Sequence, residues 1–292
     1  MTDWHGVPVP PKTPGSAEWY KSYSASKVAA ILGLSVYDSP YSMWAKMRGE
    51  VDPSSEQSGA ATRGTYLEPA IHKWFCDTHP DLLVLDGDSY AHPADPLFTA
   101  SPDGLVVNED GEPYAILEIK TAARGDEWGS DGTADIPPGY LVQVAWQMFV
   151  TGARHCYVAA LVTMNLRLFQ VTLEDVEPFT AGMVQRVAEF RTLVQEGTPP
   201  DWDGHDKTYE AVRESHPDIV DEEVVCSTEF AQQVWAMRAE EERARAGMKQ
   251  IKSEIAGLMG QARVLTDEDG NLVARRQARG GSAPWVVIPE PK

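Results

Sequence analysis

The stretch SPDGLVVNEDGEPYAILEIK, residues 101–120, constrains the fold more than any other part of the chain. Asp110-Gly111 is a strong two-residue turn signal between two apolar runs, so the stretch reads as a β-hairpin. A turn centred there pairs residues equidistant from it, and Asp103 and Glu118 are such a pair. Their Cβ atoms then stand roughly 5 Å apart on one face. Side chains two apart on a strand share a face, which adds Lys120 to the same side. The strand YAILEIKTA thus carries a conflict: its apolar residues demand burial, and Glu118 and Lys120 sit among them. Pro113 is placed where it can displace the turn, so this register is an expectation for the structure to test.

Two opposed carboxylates repel unless a cation lies between them. Two carboxylates, with water and a substrate phosphate completing the shell, suit Mg²⁺ or Mn²⁺. A lysine beside such a metal can orient or deprotonate a water, or neutralise developing negative charge. The set suits hydrolysis of a phosphodiester. From this stretch alone, a solvated hairpin with Glu118 and Lys120 facing water explains the pattern equally well, because D…ExK is short and recurs by chance.

Elsewhere the chain alternates helical and strand patterns. Residues 1–15 are proline-rich and expected to form an irregular lead-in. SASKVAAILGL (24–34) reads as a serine-capped helix carrying Val28, Ile31 and Leu32 and closed by Gly33. SPYSMWAKMRGE starts a second short helix, and 59–79 places Leu67, Ile71, Trp74 and Phe75 at helical spacing. LLVLDGDSYAH, LFTASPDGLVV and YAILEIKTA read as strands. PPGYLVQVAWQMFVTG (137–152) is a helix between proline and glycine. The strands HCYVAALVT and LRLFQVTL follow, then a helix ending at Gly197. The loop 198–206 is a candidate boundary. Beyond it come a long helix, Phe230 to Ala262, and a hairpin in RVLTDEDGNLVARRQ. The expected fold class is α/β of the α+β kind: a lead-in at 1–15, a core at 16–197 with a central mixed sheet flanked by helices, and a helix-plus-hairpin extension at 198–292.

The net charge of −19 taken alone argues against nucleic acid as a partner. Its distribution weakens that argument. Residues 174–229 hold fifteen acids and four Lys/Arg, whereas residues 1–50 hold five Lys/Arg and four acids. A bound metal and a local cationic groove would still attract phosphate. Cys76, Cys156 and Cys226 are far apart and form neither a zinc spacing nor a disulfide framework. The chain has no run of eighteen apolar residues and no signal-peptide pattern at its start, so no membrane association is expected.

Five blocks narrow the reading. SASKVAAILGLS, RGTYLEPAI, FTASPDGLV, LEIKT and GYLVQVAWQMFVTG occur in order between about residues 19 and 165. Their order and spacing resemble the YqaJ-type viral recombinases, the lambda exonuclease family of PD-(D/E)xK nucleases. The resemblance implies Asp103, Glu118 and the main-chain carbonyl of Ile119 as metal ligands, with Glu68 as a helix-borne acid near the metal. It implies Lys120 as the catalytic lysine and Gln143 as the glutamine supporting the site. Ser26, Ser101 and, more weakly, Tyr140 match DNA- or 5′-phosphate-contacting positions. Ser26 also stands where helix N–H groups favour an anion. The family's arginine ahead of the serine block is absent from EWYKSYSAS, which leaves Lys21, Lys27 and Arg63 as substitutes. Lysine lacks the bidentate fork.

The implied activity is a Mg²⁺-dependent exonuclease, with two ions and Mn²⁺ able to substitute. It digests linear double-stranded DNA 5′→3′ and leaves a 3′ strand for an annealing protein. A homo-oligomeric, trimeric ring and a phage or prophage setting in bacterial cytoplasm belong to the same expectation. The alternatives are a PD-(D/E)xK endonuclease, a RecB-like nuclease, an acidic DNA mimic, and an inactive DNA-binding module. The iron–sulfur form of the RecB-like reading needs four clustered cysteines, which are absent.

Overall fold

A computed structural model describes residues 3–52 and 59–289. The chain divides into two units, Met1–Ile219 and Val220–Lys292. The first begins with β1 (Val7–Pro8), α1 (Ala17–Tyr20), β2 (Tyr23–Ser24), α2 (Ala25–Ile31), α3 (Pro40–Arg48) and α4 (Gly59–Thr78). Then come β3 (Leu83–Asp86), β4 (Tyr90–His92), β5 (Asp95–Ala100), β6 (Gly104–Val107) and β7 (Pro113–Ala122). It ends with α5 (Pro138–Thr151), β8 (His155–Val162), β9 (Asn165–Thr172), α6 (Leu173–Glu196) and α7 (Asp206–Glu214). The loop 198–206 lies inside this unit, because α7 packs back on α3 and the Thr208 hydroxyl donates to Ser39 Oγ at 2.7 Å.

Five strands form a mixed sheet in the order β3-β6-β7-β8-β9, with β7 and β8 parallel. α5 supplies the crossover that parallel neighbours need. A smaller sheet has the order β1-β4-β5-β2. Mixed sheets flanked by helices are therefore what the chain builds.

The hairpin reaches the expected register by an unexpected route. Its turn uses Glu109, Asp110 and Gly111, organised by Asn108. The Asn108 side-chain oxygen accepts from the N–H groups of Asp110 (3.0 Å) and Glu112 (2.9 Å). Gly111 takes a φ of 80°, which closes such a loop without Cβ strain. This turn displaces the pairing by one residue, and a bulge between Val106 and Val107 restores it. The inner pairs Val106↔Ala115, Leu105↔Ile116 and Gly104↔Leu117 are those of the turn centred on Asp110-Gly111. Asp103 stands immediately before the first residue of β6.

Both faces of the large sheet are covered, as its parallel pair requires. Ile116, Val158, Ala160 and Phe169 belong to the main core with residues of α2, α3, α5 and α6. Leu117, Ile119 and Ala159 face α4, where Ile71 and Phe75 are buried and Leu67 and Trp74 partly so. The Val, Leu, Ile and Phe side chains among them contribute about 1.5–3 kcal/mol each when fully buried. The alternation along β7 turns Glu118 and Lys120 to the α5 side, where a hydrophobe would otherwise pack.

The lead-in is tied down. The N–H groups of His5 (2.8 Å) and Gly6 (3.1 Å) both donate to the Thr151 carbonyl. β1 pairs with β4, the Val9 N–H donates to Ser89 O at 2.9 Å, and Trp4 meets the Tyr90 ring edge-on.

The second unit holds α8 (Thr228–Met259) and an antiparallel sheet of β10 (Val264–Thr266), β11 (Leu272–Arg279) and β12 (Ser282–Val287). Met259, Ala274 and Val286 form its small core. The hairpin turn carries Gly270 at a φ of 85°. The third strand, SAPWVV, lies beyond the hairpin expected from the sequence; Pro284 interrupts its pattern and Trp285 is half exposed.

One glycine fixes where Asp103 lies. A Cβ on Gly87 would stand 1.8 Å from Pro102 O and 2.8 Å from Asp103 C, and the Gly87 N–H donates to Asp103 O at 3.1 Å. Gly87→Ala must push that backbone away. We expect a loss of about 1–3 kcal/mol, the usual cost of overpacking, read as a lower denaturation midpoint. An unchanged midpoint would mean that the 87 and 102 loops separate freely.

Candidate active site

Glu118 is only 2% exposed, yet both its carboxylate oxygens have donors. Oε1 accepts from Gln143 Nε2 at 2.6 Å and from the Lys120 ammonium, while Oε2 accepts from Gln147 Nε2 at 2.7 Å. Lys120 Nζ also donates to Gln143 Oε1 at 3.2 Å. The two glutamines are one helical turn apart on α5, so both face β7. Asp103 is held differently: its Oδ2 accepts from the Ile119 N–H at 2.6 Å, taking the donor that a longer β6 would have paired. Asp103, Glu118 and Lys120 are thereby brought together at one end of the hairpin.

Burial, and then the charge of Glu118, push the Asp103 carboxyl well above the usual carboxylate range. Lys120 and the Ile119 N–H oppose this without cancelling it. Burial acts to lower the Lys120 pKa, but the charges of Glu118 and Asp103 outweigh it and raise it. Lys120 is therefore a protonated donor here. The Lys120 ammonium also lies 5.1 Å from the Tyr140 ring centroid. Burial raises the Tyr140 pKa, so its phenol stays neutral.

A cleft of about 1110 Å³ reaches this set at Ile119 and Lys120, with neither Asp103 nor Glu118 on its lining. Ser26, Tyr37, Glu68, Ile119, Lys120 and Tyr140 line it. Glu68 is an exposed residue of α4 facing the cleft. α7 forms another wall through Lys207, Glu210 and Glu214. A second cavity of about 340 Å³ is lined by Ser24, Ser26, Ser89, Ser101, Gln143 and Gln147, with Lys12 also on its wall. Ser26 lines both, and its Oγ lies 3.1 Å from Ser24 Oγ. Ser101 is exposed, 2.8 Å from the Ser89 hydroxyl. α2 has only seven residues, so its hydroxyls count for more than its dipole.

The three basic residues named as arginine substitutes are placed elsewhere. Lys21 is exposed and bound to Glu18 at 2.6 Å. Lys27 is fully buried, donating to the carbonyls of Trp19 and Ser22 and standing 3.8 Å from the Trp19 ring centroid. Burial, then the charge of Lys12, lower its pKa to about 7. Arg63 lies exposed on α4 and lines neither cavity.

Sequence reasoning missed Gln147, Lys12, Ser89 and Gly87. Gln147 had a signal: it repeats Gln143 one turn later in an otherwise apolar helix. Lys12 and Ser89 had none, because they meet the site only through the β1–β4 pairing.

The donor set fits a hard divalent cation. Two carboxylates suffice for Mg²⁺ when water and substrate phosphate complete the shell. The upward push on Asp103 is the strain that such an ion relieves. Among the described residues, no group of three or more His, Cys, Asp and Glu is gathered to hold one. Asp103, Glu118 and the Ile119 carbonyl would be the ligands, with Glu68 on the cleft that Ile119 and Lys120 line.

Residues 19–154 match the YqaJ-like viral recombinase domain. The uncharacterized protein YqaJ of Bacillus subtilis (strain 168) is 26% identical over 252 residues, 85% of this chain and 74% of that one. Among solved structures, the alkaline exonuclease LHK-Exo from Laribacter hongkongensis aligns with 62% of this chain and 98% of its own, at 21% identity and a TM-score of 0.42. LHK-Exo in complex with dAMP aligns at 20% identity and a TM-score of 0.42, covering 62% and 95%. The matched stretch is thus similar to the family that the five blocks resemble.

The raised Asp103 pKa has a consequence for the metal-free protein. Between an unfolded value of about 3.9 and the higher folded one, the native state holds a proton that the unfolded chain has released. Stability then falls as pH rises through that window. In EDTA, Asp103→Asn should melt higher than wild type at pH 7.5, with the gap closing toward pH 4. Asparagine keeps an acceptor for the Ile119 N–H. A variant that melts lower at pH 7.5 would contradict the strained-pair account.

Proposed function

We propose that the chain is a metal-dependent exodeoxyribonuclease acting on the ends of linear duplex DNA. In this reading it digests the 5′-ended strand and leaves a 3′ overhang for an annealing protein. The observation that carries it is Glu118: a buried carboxylate fixed through both oxygens, beside Asp103 and a charged Lys120 that lines an open cleft. The YqaJ-like domain match supports the same chemistry.

Bound Mg²⁺ would supply a nucleophilic water and neutralise charge on the phosphate. The rest falls to the chain's own residues. Gln143 and Gln147 hold the Glu118 oxygens in one orientation, so the carboxylate loses no freedom on binding. The Ile119 N–H does the same for Asp103. Lys120, held as an ammonium, donates to the attacking water or to a phosphate oxygen as charge develops. Tyr140 covers Lys120 and keeps water from its stem. Ser26 joins the cleft to the serine-lined cavity, which would take the phosphate of the DNA end. A trimeric ring, the family's arrangement, would add processivity. Bacterial cytoplasm is the setting this reading assigns.

The test is linear duplex DNA labelled on one strand, in Mg²⁺ and in EDTA, beside a closed circle. Digestion of the 5′-ended strand only with metal, with no cutting of the circle, is expected. Lys120→Ala should lower kcat about 10²–10³-fold, as loss of a charge-stabilising donor does. Cutting of the circle would favour an endonuclease. No digestion of any substrate would move the acidic-mimic and inactive-module readings ahead.

A further inference from the structure

We infer that α8 is a self-association element: it zips in parallel, and in register, against α8 of a second copy of this chain. The inference is independent of the nuclease reading, because α8 lies outside residues 19–154.

The argument starts from spacing. Steps of four and three residues along α8, from Phe230 to Leu258, mark nine positions, and eight of them are apolar. In heptad terms Phe230, Met237, Ala244, Ile251 and Leu258 take the d positions. Val234, Glu241, Met248 and Ile255 take the a positions. An a/d seam sustained over about four heptads is the pattern of a coiled coil. The small core of the second unit covers only the end of this seam, where Ile255 packs beside Met259, Ala274 and Val286. Phe230, Val234, Met237, Met248 and Ile251 stay between 47% and 61% exposed. A helix draws most of its stability from packing such a face, so the seam calls for an occupant.

Charge identifies the occupant and its direction. The e positions beside the seam hold Arg238, Arg245 and Lys252 and no acid. The g positions hold Glu240 and Glu254 and no base. In a parallel pair a g residue meets the e residue of the next heptad in the other copy, which sets Glu240 against Arg245 of the second copy. An antiparallel pair sets e against e and g against g, so bases would face bases and acids would face acids. The seam is therefore complementary to itself in one orientation. Glu241 is the polar residue within it. Arg238 Nη1 at 2.7 Å and Arg245 Nη2 at 2.8 Å both bind its carboxylate from the flanking e positions. A polar a residue of this kind fixes register and weakens the coil.

The measurement is cross-linking of the full chain at Cys226, the residue before the α8 N-cap Ser227. Cys226 is exposed, whereas Cys156 is buried and Cys76 half-buried. A parallel, in-register pair brings the two Cys226 thiols within reach of a bismaleimide spanning roughly 10 Å, the separation of packed helices. An antiparallel pair would hold them about 48 Å apart, the length of the helix. Wild type should give a covalent dimer that Cys226→Ser abolishes. Met248→Asp combined with Ile251→Asp should lower its yield about tenfold or more. Neither residue belongs to the small core of the unit, so folding is retained. Arg245→Glu should also lower the yield, and adding Glu240→Arg should restore part of it. Glu241→Leu should tighten association about tenfold, as replacing a buried charge by a hydrophobe does, and raise the yield at limiting concentration. Loss of folding cannot produce that gain. No covalent dimer in wild type, or one that survives the two aspartates, would overturn the inference. A dimer that the aspartates weaken and the Glu240/Arg245 exchange fails to restore would overturn the parallel register.

Discussion

The first unit is organised around one buried charge. Glu118 sits on the face of β7 that packs against α5, where the neighbouring strand β8 offers Val158 and Ala160. Removing a carboxylate from water costs several kcal/mol unless hydrogen bonds replace the lost hydration. The replacement comes from Lys120 on the same strand and from Gln143 and Gln147 on α5. That requirement fixes the rotation of α5 about its axis: its glutamine stripe must face β7, and its apolar residues then fill the remaining core. Trp146, fully buried, donates from Nε1 to Thr99 O at 3.2 Å and so connects the same helix to the smaller sheet. The polar centre thus specifies the packing of a helix that hydrophobicity alone would leave free to turn.

How much of this was legible in the sequence depended on how local the cause was. The Asp103–Glu118 register was readable because turn and strands are contiguous. The turn length was misjudged by one residue, since Asn108 recruits Glu109 into the loop through its own side chain. The bulge at Val106/Val107 absorbs that change, so an error in the turn did not propagate to the site. Leu67, Ile71, Trp74 and Phe75 declared α4 by their spacing alone. Lys27, in contrast, had the composition of a surface cation in a first helical turn. Only tertiary packing shows that Trp19 and Ser22 enclose it. Lys12 showed the converse: a residue in a stretch expected to be irregular reaches the site through a two-residue strand pairing.

The acidity of the chain also looks different in space. Much of the negative charge in residues 174–229 lies on exposed turns of α6 and α7 and in the loop that follows. Two acids, Glu210 and Glu214, reach the wall of the cleft, but Glu210 is paired with Lys207 at 2.5 Å. At physiological ionic strength an exposed charge is screened within about 8 Å. Phosphate binding is then decided by the few groups inside the cavities, and a net charge of −19 is compatible with a nucleic-acid substrate.

A division of labour among lysines follows from the same electrostatics. Lys27 is surrounded by carbonyls and an indole face, with no carboxylate partner among the described residues, and its pKa is lowered to about 7. It stabilises the junction of α1 and α2 as a hydrogen-bond donor that holds its charge weakly. Lys120, between two carboxylates, is driven the other way and keeps its proton well into alkaline conditions. Burial disfavours the ammonium in both cases, so what separates them is the presence of acids.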